Sequence, residues 1–489
     1  MASSTEHAWL PDLIYTAGRF HRDVALVCDN TGRIVRIASA DEVETPSRLK
    51  NRALLPGLIN AHSHAFQRVI RGRTEHRTEN GQDSFWTWRE VMYSAATRLT
   101  PEDVYDATRM AFLEMVLGGI TAVGEFHYLH HAPDGTAYDD PNLIAKEVVR
   151  AAGDTGLRIA LLRVAYARSG YNTESNPRQA RFIETDVEDF LRHVEKLKSD
   201  LAHSVGRAWL GVAPHSVRAV PLAYLKEVVR YAHEEQLPVH MHVAEQPAEV
   251  SVCIQEYGRS PVALLDTEGL LSDRFTAVHA IHVTPKSIHA LAQARATICA
   301  CPTTERNLGD GVVPVDLFFK DDVRVALGTD SHVEIDLLED ARELEYHLRL
   351  QKLQRAVLAR DRSPNRGPQT GSPAGVGAMR EGVLAEDRAS ALAARLFDCA
   401  TRNGAESIGA PGGSLEPGHA ADFFTVDLND PSIAGAHEDD LLTNIVFSLS
   451  RTAMREVVVG GKQIVSDGRH LDQEEIVERF SALQKRLWN

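Results

Sequence analysis

Histidines and carboxylates recur along this sequence in short clusters whose spacing suits metal chemistry. The first lies in Ala53 to Arg68, ALLPGLINAHSHAFQR, where an apolar run broken by Pro56 and Gly57 leads to His62 and His64. On an extended backbone alternate side chains share a face, so these two imidazoles point to one place while Ser63 turns away. Two converging imidazoles suit a divalent metal such as zinc when further ligands arrive from elsewhere in the chain. Alone, the pair is equally two histidines of a surface loop. Later segments supply partners: His240, His242 and Glu245 in LPVHMHVAE, His279 and His282 in FTAVHAIHV, and Asp330, Ser331 and His332 in GTDSH. Three histidines and an aspartate make a single divalent site with one position open for water, the arrangement of a metal-dependent hydrolase.

Spacing leaves the choice among them open. His240 and His242 share one face of a strand, and one of them suffices as a ligand. His279 is equally a hydrogen-bonded core histidine, His282 and His332 equally loop histidines, Glu245 a solvated acid, and Asp330 a helix cap. Each bland explanation holds singly; together they must account for a coincidence of position.

The elements that carry these residues define that position. Short apolar runs rich in β-formers alternate with helical stretches: the run ending at His62, ITAVGEF, RIALLRVAY (Arg158 to Tyr166), AWLGVAP (Ala208 to Pro214), LPVHMHV (Leu237 to Val243), FTAVHAI (Phe275 to Ile281), ATICAC (Ala296 to Cys301) and VRVALG (Val323 to Gly328). Near-continuous apolar strands alternating with helices predict a parallel sheet covered on both faces. Eight of them predict a (β/α)8 TIM-like barrel, whose reactive groups sit at the C-terminal ends of its strands, where the histidines fall. A doubly wound sheet is the competitor, but no glycine-rich phosphate loop follows any run. Thr100-Pro101-Glu102-Asp103 opens one helix, and Gly118-Gly119 closes it. Glu339 to Arg360 has the leucine spacing of a long helix.

Both ends of the chain have β character. VALVC, the turn Asp29-Asn30-Thr31-Gly32 and RIVRIA form a hairpin signature, and Gly413 to Asp427 and Met454 to Val465 are its C-terminal counterparts. Neither end buries both faces of its strands alone, so residues 1–55 and 412–470 are expected to form one small β-sandwich domain. Residues 56–411 form the barrel, with 361–378, rich in Pro, Gly and Ser, as a mobile loop, and 471–489 form a C-terminal helix.

The chain has 489 residues and a formal net charge of −15, which argues against nucleic acid or an anionic membrane as partner. Five scattered cysteines do not make a disulfide framework, and no uninterrupted apolar run is long enough to cross a bilayer. A soluble cytoplasmic protein is expected. A small anionic substrate is compatible with this charge if arginines gather locally.

PGLINAHSH, HVAEQ, VHAIHV and GTDSH resemble the metal-binding signatures of the amidohydrolase superfamily, within its deaminase branch. HSHAFQR, DSFWTWRE, GEFHYLHH and APHSVR resemble the formimidoylglutamate deiminases of histidine degradation, over most of the chain. The resemblance implies one zinc per chain on His62, His64, His242 and Asp330, leaving iron or manganese open. It implies Glu245 and His279, with Asp330, as proton-transfer groups. Gln67, Arg89, Tyr128, His215 and Arg218 match that family's substrate-binding positions, and arginine suits planar carboxylates through paired hydrogen bonds. The implied reaction is hydrolysis of N-formimino-L-glutamate to N-formyl-L-glutamate and ammonia by a homodimer, with Arg89 serving its own or a neighbouring subunit. Two alternatives stand beside it: a deaminase of the same superfamily acting on a purine, pterin or triazine-like ring, and a non-catalytic metal-binding scaffold.

Overall fold

The computed structural model describes residues 6–78, 83–203, 206–359 and 391–489. The loop expected at 361–378 lies outside them. Eight parallel strands run in sequence order around a nearly closed barrel: β1 (Leu58–Ser63), β2 (Ile120–His127), β3 (Arg158–Ala165), β4 (Ala208–Pro214), β5 (Val239–Val243), β6 (Phe275–His279), β7 (Thr297–Ala300) and β8 (Arg324–Leu327). All but β4 and β8 are buried along their full length, as a sheet covered on both faces requires.

Between β8 and β1 the barrel closes through few bonds, all at the mouth. The Asp330 N–H donates to the His62 carbonyl and the His64 N–H to the Asp330 carbonyl, both at 3.1 Å. Asn60 adds side-chain bonds across the seam: its Nδ2 donates to Thr329 Oγ1 (2.7 Å) and its Oδ1 accepts from the Thr329 N–H (3.1 Å). A Cβ at Gly328 would stand 2.7 Å from the His62 Cβ, so glycine is what permits the close approach of these strands.

Two helices shape the mouth. α1 (Phe85–Ala96) starts on Ser84 and α2 (Pro101–Leu117) on Thr100, each with a capping box, and α2 ends at Gly118 as its sequence predicts. The charged helix expected over Glu339 to Arg360 is shorter, Leu337–Lys352. Leu353 turns left-handed, and the chain doubles back so that the Val357 and Leu358 N–H groups donate to Glu345, each at 2.9 Å.

Both chain ends build a separate mixed sheet. Its order is Arg469–His470, Lys462–Ser466, Met454–Val459, Phe423–Asp427, Ser47–Pro56, His7–Thr16, Val24–Cys28 and Ile34–Ser39, with Arg19–His21 beside His7–Thr16. Ser47–Pro56 is the junction: it pairs parallel with His7–Thr16 and antiparallel with Phe423–Asp427, and Gly57 alone separates it from β1. One face buries Trp9, Ile14, Leu26, Leu54, Phe423 and Val458 together. Arg158 at the start of β3 ties the sheet to the barrel through Asp422 (2.7 Å). The last helix, Gln473–Trp488, lies against α2, where Arg486 pairs with Asp103 and Arg479 with Asp106. No helix among the described residues is long and apolar enough to cross a membrane.

Candidate metal centre and active site

The C-terminal ends of β1, β5 and β8 bring His62, His64, His242 and Asp330 to one buried point. His62 Nε2 lies 3.2 Å from both His64 Nε2 and His242 Nε2, and Asp330 Oδ1 lies 3.3 Å from His62 Nε2 and 3.2 Å from His64 Nε2. Four donors about 2.0 Å from a common centre in tetrahedral array stand about 3.3 Å apart, so these spacings are those of atoms sharing one cation.

Protonation supports the same fit. His64 Nδ1 faces the Phe126 carbonyl (3.0 Å) and His242 Nδ1 the His215 carbonyl (3.1 Å). A carbonyl only accepts, so both Nδ1 atoms carry the proton and both Nε2 lone pairs face inward. His62 can satisfy at most one of them. Burial pushes the His62 imidazole down to about 3, against the pull of Asp330, and pushes His242 well below the usual histidine range. The Asp330 carboxyl stays well below the ordinary range: burial opposes its charge, but the adjoining His62 and His64 rings outweigh that. Neutral imidazoles with an ionised carboxylate are the donor set a divalent metal requires.

Two further groups face this point. His279, at the end of β6, has Nε2 3.7 Å from Glu245 Oε1 and 3.9 Å from Asp330 Oδ2, and that nitrogen has no hydrogen-bond partner. Burial disfavours its charge, but Glu245, Glu305 and Asp330 hold its pKa well above the usual value. Burial raises the Glu245 carboxyl, with Asp330 adding to it and His279 opposing. Backbone strain concentrates here: Ala244, His279, Ala280, Asp330 and His332 all have positive φ, between 45° and 69°. Non-glycine residues in that region cost of order 1–3 kcal/mol each, the kind of strain that active sites carry.

The cleft above is lined by His64, Gln67, Arg89, Tyr128, His215, Arg218, His242, Glu245 and Asp330, so every residue proposed from sequence for substrate binding reaches it. Arg89 and Arg218 form no ion pair among the described residues, and Arg89 Nε, Arg218 Nε and Arg218 Nη1 are buried without partners. Burial, with the Arg218 charge nearby, lowers the Arg89 guanidinium. Gln67 Nε2 donates to the Tyr128 hydroxyl (2.9 Å), which leaves Gln67 Oε1 a buried acceptor without a donor. Arg89 lines the cleft of its own chain.

The other histidines have structural partners. His240 sits deeper in the barrel, its Nε2 donating to the Ser407 carbonyl (3.1 Å); His282 Nε2 donates to the Asp310 carbonyl (2.9 Å). His332 bridges Ser63 Oγ (3.0 Å) and Thr329 Oγ1 (3.2 Å) behind the ligands. Sequence reasoning missed Glu305, whose Oε1 holds His279 Nδ1 at 3.2 Å, and the cleft residues Trp88, Met92, Tyr93, Tyr166 and Phe182. Glu305 lies on the short helix Pro302–Leu308 that follows β7, and its place after a barrel strand was the one signal for it. Trp88 lies within DSFWTWRE and Tyr166 closes the run RIALLRVAY, whereas Met92, Tyr93 and Phe182 belong to no motif.

Residues 53–464 match the sequence pattern described as "Amidohydrolase family". The chain is 38% identical over 429 residues to the formimidoylglutamate deiminase of Pseudomonas aeruginosa, covering 88% of each sequence. It is 27% identical to a 5-methylthioadenosine/S-adenosylhomocysteine deaminase of Syntrophomonas wolfei, covering 90% of this chain and 88% of the relative. Among solved structures it superposes on an amidohydrolase from Brucella melitensis with a TM-score of 0.85 and 33% identity, over 99% of this chain and 100% of the other.

Proposed function

The chain belongs to the amidohydrolase family, and from that premise we propose that it hydrolyses N-formimino-L-glutamate to N-formyl-L-glutamate and ammonia, as a zinc enzyme of histidine degradation. The observation that carries the substrate is the pair of unpartnered arginines, Arg89 and Arg218, over a three-histidine, one-aspartate cluster in a protein of net charge −15. Isolated guanidinium donors in a buried cleft are costly without an anion, and planar carboxylates match their paired geometry. The free Gln67 Oε1 and Glu245 are acceptors for the N–H groups of an amidine. A purine, pterin or triazine ring presents no carboxylate to either arginine.

His62, His64, His242 and Asp330 would hold the metal. A bound divalent cation supplies Lewis-acid activation of water near neutral pH. Glu245 holds the terminal amidine nitrogen, Asp330 takes a proton from the attacking water, and His279, held in its charged form, orients that water. Glu305 at Nδ1 of His279 fixes that ring so that Nε2 faces the reacting groups. Oxygen adds to the amidine carbon, the terminal nitrogen receives two protons, one passed by Glu245 and the other the water proton taken up at Asp330, and the C–N bond to that nitrogen breaks. Ammonia departs and the formyl carbonyl remains, so water supplies the oxygen and both hydrogens.

The test is to incubate the purified protein with N-formimino-L-glutamate and measure ammonia and N-formyl-L-glutamate, with and without a chelator and after zinc is restored. Equimolar products that the chelator abolishes and zinc recovers support the proposal. Ammonia from a heterocycle panel but none from formiminoglutamate would overturn it.

A further inference from the structure

We propose that His279, Cys301 and Glu305 form a second cation site behind the metal centre, one that takes a soft divalent ion such as excess zinc or cadmium, and that its occupancy lowers turnover without blocking the cleft. Binding there stands on geometry alone; the loss of turnover rests on the hydrolysis proposed above.

His279 ends β6, Cys301 joins β7 to the helix Pro302–Leu308, and Glu305 lies in the first turn of that helix. One donor atom of each residue lies within 4.8 Å of the other two, and all three residues are buried. His279 Nδ1 stands 3.2 Å from Glu305 Oε1. A tetrahedral zinc sets its nitrogen and oxygen ligands about 3.3 Å apart and its sulphur about 3.5 Å from either. The nitrogen and oxygen are thus already at ligand spacing, and the Cys301 sulphur closes the rest by turning about its Cα–Cβ bond. Nδ1 and Nε2 leave the imidazole on different edges, and Nε2 faces Glu245 and Asp330. A cation on Nδ1 therefore sits on the side of the ring away from the first centre.

The atoms are weakly held in the free protein. The Cys301 thiol reaches the Cys299 carbonyl only at 4.0 Å, a long contact even for sulphur. Glu305 Oε1 also accepts from the Cys301 N–H (2.9 Å), a backbone bond that any side chain at that position keeps. The surroundings are short of positive charge. Asp310, whose N–H donates to the Glu305 carbonyl (3.0 Å), has Oδ2 buried without a partner, and burial, then Glu245, push its carboxyl up to about 9. An added dication is favoured in such a place. Thiolate and imidazole with one carboxylate select zinc or cadmium over magnesium or calcium. One ion enters, and two protons leave for solvent, from His279 Nδ1 and from the Cys301 thiol.

None of the three residues lines the cleft. Occupancy takes His279 from the Glu305 bond that sets its Nε2 3.7 Å from Glu245. The effect should fall on kcat and spare KM.

The test titrates cadmium into wild type, C301S, C301A and C299S, each loaded with one zinc per chain. Metal content after gel filtration, the ultraviolet thiolate-to-cadmium charge-transfer band and steady-state turnover of N-formimino-L-glutamate are the readouts. Wild type should keep its zinc, gain one cadmium and the band, and lose kcat at least tenfold with KM within threefold. C301S and C301A should match the cadmium-free wild-type rate within threefold, show no band and need at least tenfold more cadmium for the same inhibition. All five cysteines are free and buried, so C299S controls for the neighbouring thiol and should behave as wild type. No band in wild type, a band that persists in both Cys301 variants, equal loss in C299S, or cadmium gained only as zinc is lost would overturn the site. A rise in KM at unchanged kcat would put the ion in the cleft and overturn the mode of inhibition. If wild type does not turn over formiminoglutamate, the reaction proposed above fails, and the band and the metal content still decide the site.

Discussion

Arg218→Ala separates binding from architecture most cleanly. Two of its guanidinium nitrogens, Nε and Nη1, are buried without partners, so the side chain gives the free protein little and awaits an anion. A hydrogen bond to a charged group contributes about 1.5–3 kcal/mol, so two to one carboxylate contribute about 3–6 kcal/mol. At 1.4 kcal/mol per decade this predicts a loss of roughly 10²- to 10⁴-fold in kcat/KM. The loss should fall mainly in KM, since the carboxylate is bound alike in ground and transition states. Stability should change little: Arg218 forms no ion pair among the described residues, while burial of its charge is offset by Tyr166, Glu249 and Glu245 nearby. Arg218→Lys, which keeps the charge but not the fork, should recover part of the binding. Ammonia release under steady-state conditions, metal content and thermal unfolding of the three proteins make the comparison. A KM within threefold of wild type, or a fall in Tm with loss of metal, would show that Arg218 braces the fold rather than the substrate.

Glu245→Gln removes the proton carrier without touching a ligand atom; zinc content should stay stoichiometric while kcat falls by about 10²- to 10⁴-fold, and a near-normal rate would assign the proton to another group. His240→Ala breaks the bond to the Ser407 carbonyl, so it should lower Tm and keep the metal; metal loss on dialysis at unchanged Tm would contradict that role. Glu184 accepts from Arg163 (2.6 and 3.1 Å) and pairs with His193 (2.6 Å). Burial opposes its charge, but His130, Arg163 and His193 hold its pKa well below the ordinary range. Its stabilisation is therefore full above the unfolded value, near ~4.3, and is lost as pH falls below it. Glu184→Gln should cost about 3–5 kcal/mol at pH 7, with the gap to wild type closing as urea unfolding is repeated from pH 5 toward pH 3; a constant gap would mean the pair is not the source.

Much of the barrel was readable because its strands announce themselves locally. AWLGVAP coincides with β4, and Thr100-Pro101 and Gly118 bracket α2. What face-sharing on a strand cannot give is depth. His240 and His242 have the same parity on β5, but two residues along a strand is a rise of about 7 Å, enough to put one at the mouth and the other beneath it against Ser407. Gln179 and Tyr93 were not readable, and Tyr166 was visible only as the last residue of the third run, since a turn, a helix and the residue after β3 supply them and the three meet only once the barrel has folded. The same limit applies to the β unit: each hairpin was visible, but the parallel pairing of His7–Thr16 with Ser47–Pro56 depends on contacts across the sheet.

Three of the four proposed metal ligands, His62, His64 and Asp330, also form the barrel's closing seam. β8 and β1 meet through the backbone of His62, His64 and Asp330 and the bridge Ser63 to Asp330, so three of the groups proposed to hold the cation also join the last strand to the first. Behind them runs a polar chain: Ser63 Oγ donates to Glu125 Oε2 and accepts from His332 Nε2, whose Nδ1 accepts from Thr329, which accepts from Asn60. Every donor in that chain meets an acceptor, and it spans β2, β1 and the end of β8. Such a chain can hold Asp330 at a φ of 45°, a conformation a lone aspartate would relax. A cation held by His62, His242 and Asp330 would load this seam directly, which would couple site occupancy to closure of the fold.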